Sequence, residues 1–301
     1  MSVLFDSFES WKRACKEGKL TLFKPVLDFE VSQKGRTEAE IWDGLRQAYQ
    51  VMREAVDTGL NEEMTSHSGL INNGAKRVAQ LRTSVLSPEF QKLVARALAA
   101  KEVNSCMGRV VAAPTAGASG ILPGTLYTLQ EIHNINDRKI HEALLIGAGV
   151  ALILEKRASI AGSVGGCQAE TGAAGAMAAA GIAYCLGGNI DQVFNAVAIT
   201  IQCMLGLVCD PVAGLVEIPC VVRNASAAAI ANASAQIALA DVSSVIPVDE
   251  CVDAMGEVGQ SMEKRYKETA LGGLAATPTG KAISRRVLIK DIEVMDDEEE
   301  N

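Results

Sequence analysis

Basic side chains are in short supply in this chain: 28 Lys and Arg stand against 36 Asp and Glu, and the formal net charge at pH 7 is −8. A nucleic-acid binder needs a basic face, so no nucleic-acid partner is expected. A long apolar run is also missing. The longest stretch, Val193 to Val208, is broken by Asn195, Thr200, Gln202 and Gly206. It falls short of the ~20 residues a bilayer needs, and reads as a buried core helix with no membrane partner, a membrane span being the alternative. The N-terminal MSVLFDSFESWKRACKEG has no apolar centre of the kind a secretory signal carries. A cytoplasmic location is therefore expected. In that reducing setting the 8 Cys should be free thiols, catalytic groups or metal ligands rather than disulfides.

What is present points to helices. Hydrophobic residues make up 49% of the chain, far too many for a disordered one. Thr37 and Glu40 form a capping-box pattern ahead of the stripe Ile41, Leu45, Tyr49, Met52 and Val56, with Gly59 as the expected stop. Ser87-Pro88 opens a second helix, and Asn189 with Gln192 opens a third that should run to about Leu207. From Cys220 to Asp241 an Ala-rich stretch follows with no period-two alternation. The expected fold is all-α.

Charge is unevenly spread. From Ala158 to Val222 there are four acids (Glu170, Asp191, Asp210 and Glu217) and no Lys or Arg. Helices apolar on every side must be enclosed by other helices, so this middle region should be the centre of the fold. With no internal repeat and no Pro- or Ser-rich linker, residues 1–290 are expected to form one helical domain. The remainder, 291–301, carries seven acids and no base and reads as a disordered solvating tail.

Three cysteines stand apart from the rest. Cys185 and Cys203 fall mid-helix among apolar neighbours and read as buried packing residues, and Cys15, Cys106 and Cys251 lie in ordinary contexts. Cys167, Cys209 and Cys220 are flanked by helix breakers, in SVGGCQAETG, GLVCDPVAG and VEIPCVVRN. Helix N-termini at Cys167 and Cys220 favour a thiolate or an anionic cluster, through unsatisfied N–H groups and the helix dipole. The spacings of 42 and 11 residues match no zinc-finger or ferredoxin run, so spacing alone points only weakly to metal.

Two further segments can bear chemistry. RVVAAPTAGASGILPGTLYT, from Arg109, exposes backbone N–H groups suited to a carboxylate or phosphate, yet is neither a Walker A nor a GxGxxG motif. An ordinary interhelical loop accounts for it equally well. His67 sits in the hydroxyl-rich turn MTSHSGLINNG, where a fixed tautomer can serve substrate contact or proton transfer, while His133 and His141 read as surface residues.

Taken together, GRVVAAPTAGASGILPG, SVGGCQAETGAAGAMAAAG and CDPVAGLVEIPCVVRNA resemble the α chain of the bacterial iron–sulfur L-serine dehydratases. The resemblance extends from about Met64 through ETALGGLAATPTGKA to Ala282. It implies a helical domain in which Cys167, Cys209 and Cys220 ligate a [4Fe–4S] cluster, leaving one iron open as a Lewis acid. It also implies a β chain with an ACT-like regulatory module as partner, and a small amino acid as substrate. His67 and Ser68, with Thr115 and Ser119 of the Gly-rich loop, are the expected substrate-side residues; His67 is the first candidate base and Lys156 the second. Pyridoxal phosphate is not expected, because no Lys lies between Arg157 and Arg223 to form a Schiff base. Two other readings remain beside it: a cluster-dependent cysteine desulfidase, and a non-catalytic iron–sulfur protein.

Overall fold

The computed structural model describes residues 6–299, apart from the side chains of Lys34 and of residues 290–299. Of the expected acidic tail, the backbone of residues 291–299 is helical, and Glu300 and Asn301 lie outside the described residues. Helices α1 (Phe8–Gly18), α2 (Lys24–Lys34), α3 (Glu38–Asn61), α4 (Gly74–Ala79) and α5 (Pro88–Ser105) form the N-terminal third. Then come α6 (Ile121–His133), α7 (Asp137–Arg157), the single turn α8 (Gly162–Gly165) and α9 (Ala173–Cys185). The chain closes with α10 (Ile190–Met204), α11 (Cys220–Leu239), α12 (Val248–Ser261) and α13 (Pro278–Glu299). Among the described residues there is no β-strand, only isolated bridges pairing Thr65 with Asn72 and Cys209 with Lys267. The fold is all-α, and no helix of the described residues is long and apolar enough to cross a membrane.

Helix α9 sits at the centre. Its sequence AAGAMAAAGIAYC is buried from Ala173 to Ala183, and α6, α7, α10 and α11 pack around it. Small side chains on every face are what permit four neighbours: the helices approach closely, and the contacts are backbone to methyl. A larger residue there, Ala179→Leu for example, would overpack the core at a cost of about 1–3 kcal/mol. The N-terminal helix docks on this assembly through aromatics. Trp11 is fully buried, donates its indole N–H to the Leu22 carbonyl at 2.9 Å, and packs with Phe8 against Phe194 of α10.

The sequence signals for helix starts correspond to real caps. Thr37 and Glu40 bond reciprocally at the start of α3, as do Asn189 and Gln192 at the start of α10, and the Ser87 hydroxyl accepts from Phe90 N–H before Pro88. Gly59 does not stop α3, which continues to Asn61. A Cβ there would collide with the Ala99 backbone, so the glycine allows α3 and α5 to cross in contact. Helix α10 ends at Met204, short of Leu207.

Candidate active site

The three singled-out cysteines come from three breaks in the helical framework. Cys167 caps a π-helical turn, Gln168–Gly172, that runs straight into α9. Its thiol lies 2.9 Å from the Thr171 hydroxyl. Cys209 sits in the connection between α10 and α11; its N–H donates to the Tyr266 carbonyl at 2.8 Å, and its own carbonyl accepts from Glu268 N–H at 2.9 Å. Cys220 is the first residue of α11, directly after Pro219. All three are buried, and Cys209 lies within electrostatic reach of both others. Gln168 ties the first break to the second: its N–H donates to the Leu207 carbonyl at 2.9 Å and its Oε1 accepts from Gly206 N–H at 2.9 Å.

Each cysteine block also carries a buried acid, and each acid holds a different outlying segment against the site. Glu170, on the π-helical turn, accepts from the Thr115 hydroxyl of the Gly-rich loop. That loop is packed so tightly that a Cβ at Gly117 would overlap the Glu170 carboxylate. Asp210, beside Cys209, accepts from Leu274 N–H at 2.7 Å and so fixes the segment that follows Glu268. Glu217, three residues before Cys220, accepts at one oxygen from Ser66 at 2.8 Å and from Ser68 at 2.6 Å, the two hydroxyls of the turn that bears His67. Three of the four acids between Ala158 and Val222, the stretch without Lys or Arg, therefore line the candidate site. A buried carboxylate is tolerated only where hydrogen bonds or cations meet it.

Two cations answer this negative charge. Arg223 approaches the Asp210 Oδ1 at 2.8 Å as an ion pair, out of line for a hydrogen bond, so that oxygen lacks a hydrogen-bond donor. Its Nη1 donates to the Val208 carbonyl at 2.9 Å. Lys101 of α5 is fully buried and donates to Asn104 Oδ1 at 2.7 Å, Ser105 Oγ at 3.2 Å and the Val216 carbonyl at 2.7 Å. Burial pulls its pKa down to about 8, against the opposing pull of Cys220, Glu170 and Glu217. Burial likewise pushes the Cys220 thiol up to about 12, reinforced by Cys167, and raises Cys167 and Cys209. Glu268, close to Cys209, is raised by burial and then by Glu170.

Of the other expected site residues, His67 is exposed between the two tethered serines and Ser68 is buried. Ser119 is buried with no hydrogen-bond partner for its hydroxyl among the described residues, an orphaned polar group in the Gly-rich loop. The structure does not place Lys156 with them: it pairs with Asp6 on an exposed surface. Cys203 is exposed rather than buried: with Gln202 it falls on the solvent side of the last turn of α10, while Met204 in the same turn is buried. No Lys lies between Arg157 and Arg223, yet a lysine does reach the core, since Lys101 enters it from α5. Residue-type patterns missed Lys101, Asn224 and the three acids. The only available signal for the acids was their isolation in a region otherwise free of charge.

Among the described residues, no three His, Cys, Asp or Glu side chains gather closely enough to hold one metal ion. A cluster distributes its thiolates over different irons and needs no such gathering. Three sulfur donors suit iron–sulfide chemistry, and thiols whose ionisation is held back by burial beside Glu170 would give up their protons only to a cationic occupant.

The family described as serine dehydratase alpha chain matches residues 17–275. The chain is 43% identical over 277 residues to the L-serine dehydratase alpha chain of Peptoniphilus asaccharolyticus, covering 91% of this chain and 95% of that one. It is 42% identical over 275 residues to a probable L-serine dehydratase alpha chain of Bacillus subtilis, at 90% and 91% coverage. With the L-serine dehydratase of Streptomyces coelicolor it shares 38% identity over 269 residues, which is 87% of this chain but only 59% of that one.

Proposed function

The chain belongs to the serine dehydratase α-chain family, and from that membership we propose that it is the α half of an L-serine ammonia-lyase that works with a [4Fe–4S] cluster. The reaction removes a proton from the serine Cα and hydroxide from Cβ. The resulting aminoacrylate tautomerises and takes up water, giving pyruvate and ammonia. The observation that carries the reading is the burial, in one electrostatic neighbourhood, of Cys167, Cys209 and Cys220 from three separate blocks.

In this reading those three thiolates hold the cluster, with Arg223 and Lys101 moderating the negative charge around them. When bound, the cluster supplies an iron with an open position, a Lewis acid that eases departure of the β-hydroxyl. The chain's own residues do the remaining work. The imidazole of His67 takes the Cα proton at a ring nitrogen. Thr115, Ser119 and the N–H groups of the Gly-rich loop orient the serine carboxylate, with Ser68 presented by the His67 turn. Closure by a β chain with an ACT-like regulatory module excludes water. The 41% of the Streptomyces coelicolor protein that this chain does not span (100% less 59%) is consistent with a second half of that kind. A cytoplasmic setting suits an exposed Cys203 and free thiols throughout.

The test is anaerobic reconstitution with iron and sulfide, with and without the β chain, followed by assays on serine and cysteine. Pyruvate from serine in the complex, with cysteine acting only as an inhibitor, is the expected result. Sulfide release from cysteine without serine turnover would favour a desulfidase, and a loaded but inert complex a non-catalytic iron–sulfur protein.

A further inference from the structure

We infer that Glu217 is a positioning residue: it fixes His67 relative to Cys220 by clamping the 65–72 turn onto the start of α11. The inference rests on the function proposed above for His67 and Cys220, and adds a role for a residue that touches neither substrate nor cluster.

The geometry is specific. One oxygen of Glu217 receives both serine hydroxyls, Ser66 at 2.8 Å and Ser68 at 2.6 Å, and the hydroxyls lie 3.1 Å apart. Each serine oxygen also accepts a backbone N–H of its own turn, Ile71 to Ser66 at 3.2 Å and Leu70 to Ser68 at 3.0 Å. A single carboxylate therefore organises the turn internally and ties it down. On the other side, the Glu217 carbonyl accepts Val221 N–H at 2.9 Å, in the first turn of α11. The two ends of the clamp are 149 and 151 residues apart in sequence.

Glu217 is 6% exposed, Ser66 3% and Ser68 8%, while His67 between the serines is exposed. A buried ion that accepts two hydroxyl protons forms charge-assisted bonds, about twice as strong as neutral ones. His67 itself lies in a short irregular turn between α3 and α4 with no helix to hold its place. Its rigidity must come from its neighbours. A misplacement of a reacting group by about 1 Å can cost on the order of a hundredfold in rate.

The experiment compares Glu217→Ala, Glu217→Gln, Ser66→Ala and the Glu217→Ala/Ser66→Ala double variant in two assays. In the cluster-loaded complex with the β chain, kcat for serine should fall about tenfold or more in Glu217→Ala, with KM changed less than about twofold. Iron content should stay at the wild-type level. Glu217→Gln, which keeps an acceptor oxygen, should recover part of the loss, and the double variant should lose no more than Glu217→Ala alone, because both changes remove one interaction. In the cluster-free chain, amide exchange at Leu70 and Ile71 should speed up about tenfold in Glu217→Ala while α11 amides beyond Asn224 keep their rates.

Unchanged exchange in the 65–72 turn would overturn the inference. So would a fall in iron content parallel to kcat, since Glu217 would then merely support Cys220. A wild-type complex that is loaded but inert toward serine would sink the proposed function instead, and the exchange measurement on the cluster-free chain would still decide whether the clamp exists.

Discussion

Asn224 holds Gly120 and the rest of the Gly-rich loop onto α11 from its fully buried position: its Oδ1 accepts from Gly120 N–H at 2.9 Å. Its Nδ2 donates to the Gly117 carbonyl at 2.8 Å and to the Cys220 carbonyl at 2.9 Å. One amide thus satisfies backbone groups on the loop and on the first turn of the cysteine helix. Asn224→Ala would leave Gly120 N–H and Gly117 C=O buried without it. The expected loss is about 2–4 kcal/mol in urea unfolding of the cluster-free chain, from two unmet backbone groups. A loss below about 0.5 kcal/mol, the size of an ordinary surface change, would contradict the assignment.

Glycines at two positions should respond in opposite ways. Gly117→Ala places a carbon against the Glu170 carboxylate and should displace the Thr115 hydrogen bond, lowering both stability and serine turnover. Gly44 lies exposed inside α3 with open space around it. Gly44→Ala should raise stability by about 0.5–1 kcal/mol through helix propensity alone. Thermal unfolding of the two variants side by side checks the contrast.

Lys101 should leave a signature in the pH dependence of stability. Its pKa is lowered on folding to about 8, so the folded chain holds this proton less tightly than the unfolded chain does. Below pH 8 the cost of the buried ammonium is fully present; it shrinks as pH rises from there toward the ordinary lysine value. The buried thiols act in the opposite sense, because their raised pKa values cost stability as pH rises past 9. Comparison with Lys101→Met isolates the lysine. Wild-type stability relative to that variant should increase by about 2 kcal/mol between pH 7 and 9.5. A difference independent of pH would mean that the amine is not desolvated.

Helix starts were legible because a cap is a local device. Thr37 with Glu40, Asn189 with Gln192, and Ser87 before Pro88 each satisfy N–H groups within a few residues of themselves. The buried Ala-rich centre was legible too, since its lack of charge leaves it nowhere else to go. Gly59 was misread because a glycine that ends a helix and one that admits a neighbouring helix are the same residue in sequence, and only the position of Ala99 distinguishes them. The site's polar framework was hidden for a similar reason. Lys101 reaches Val216 across 115 residues and Glu217 reaches Ser66 across 151, and no local pattern encodes such partners. Lys101 falls outside the span from Arg157 to Arg223 because the core is assembled across the chain rather than along it. The Gly-rich loop, ambiguous as a motif, is held beside the buried cysteines by Glu170 and Asn224.

The central claim is that Cys167, Cys209 and Cys220 jointly hold an iron–sulfur cluster, and iron with acid-labile sulfide per chain tests it most directly. The measurement is made after anaerobic reconstitution of the wild type, of each of these three cysteines changed singly to serine, and of Cys185→Ser and Cys203→Ser. The account predicts equal iron and sulfide in the wild type and in the two controls, and loss of most of both in each of the three site variants. Wild-type loading that survives replacement of any one of the three, with circular dichroism showing the helical fold intact, would contradict it.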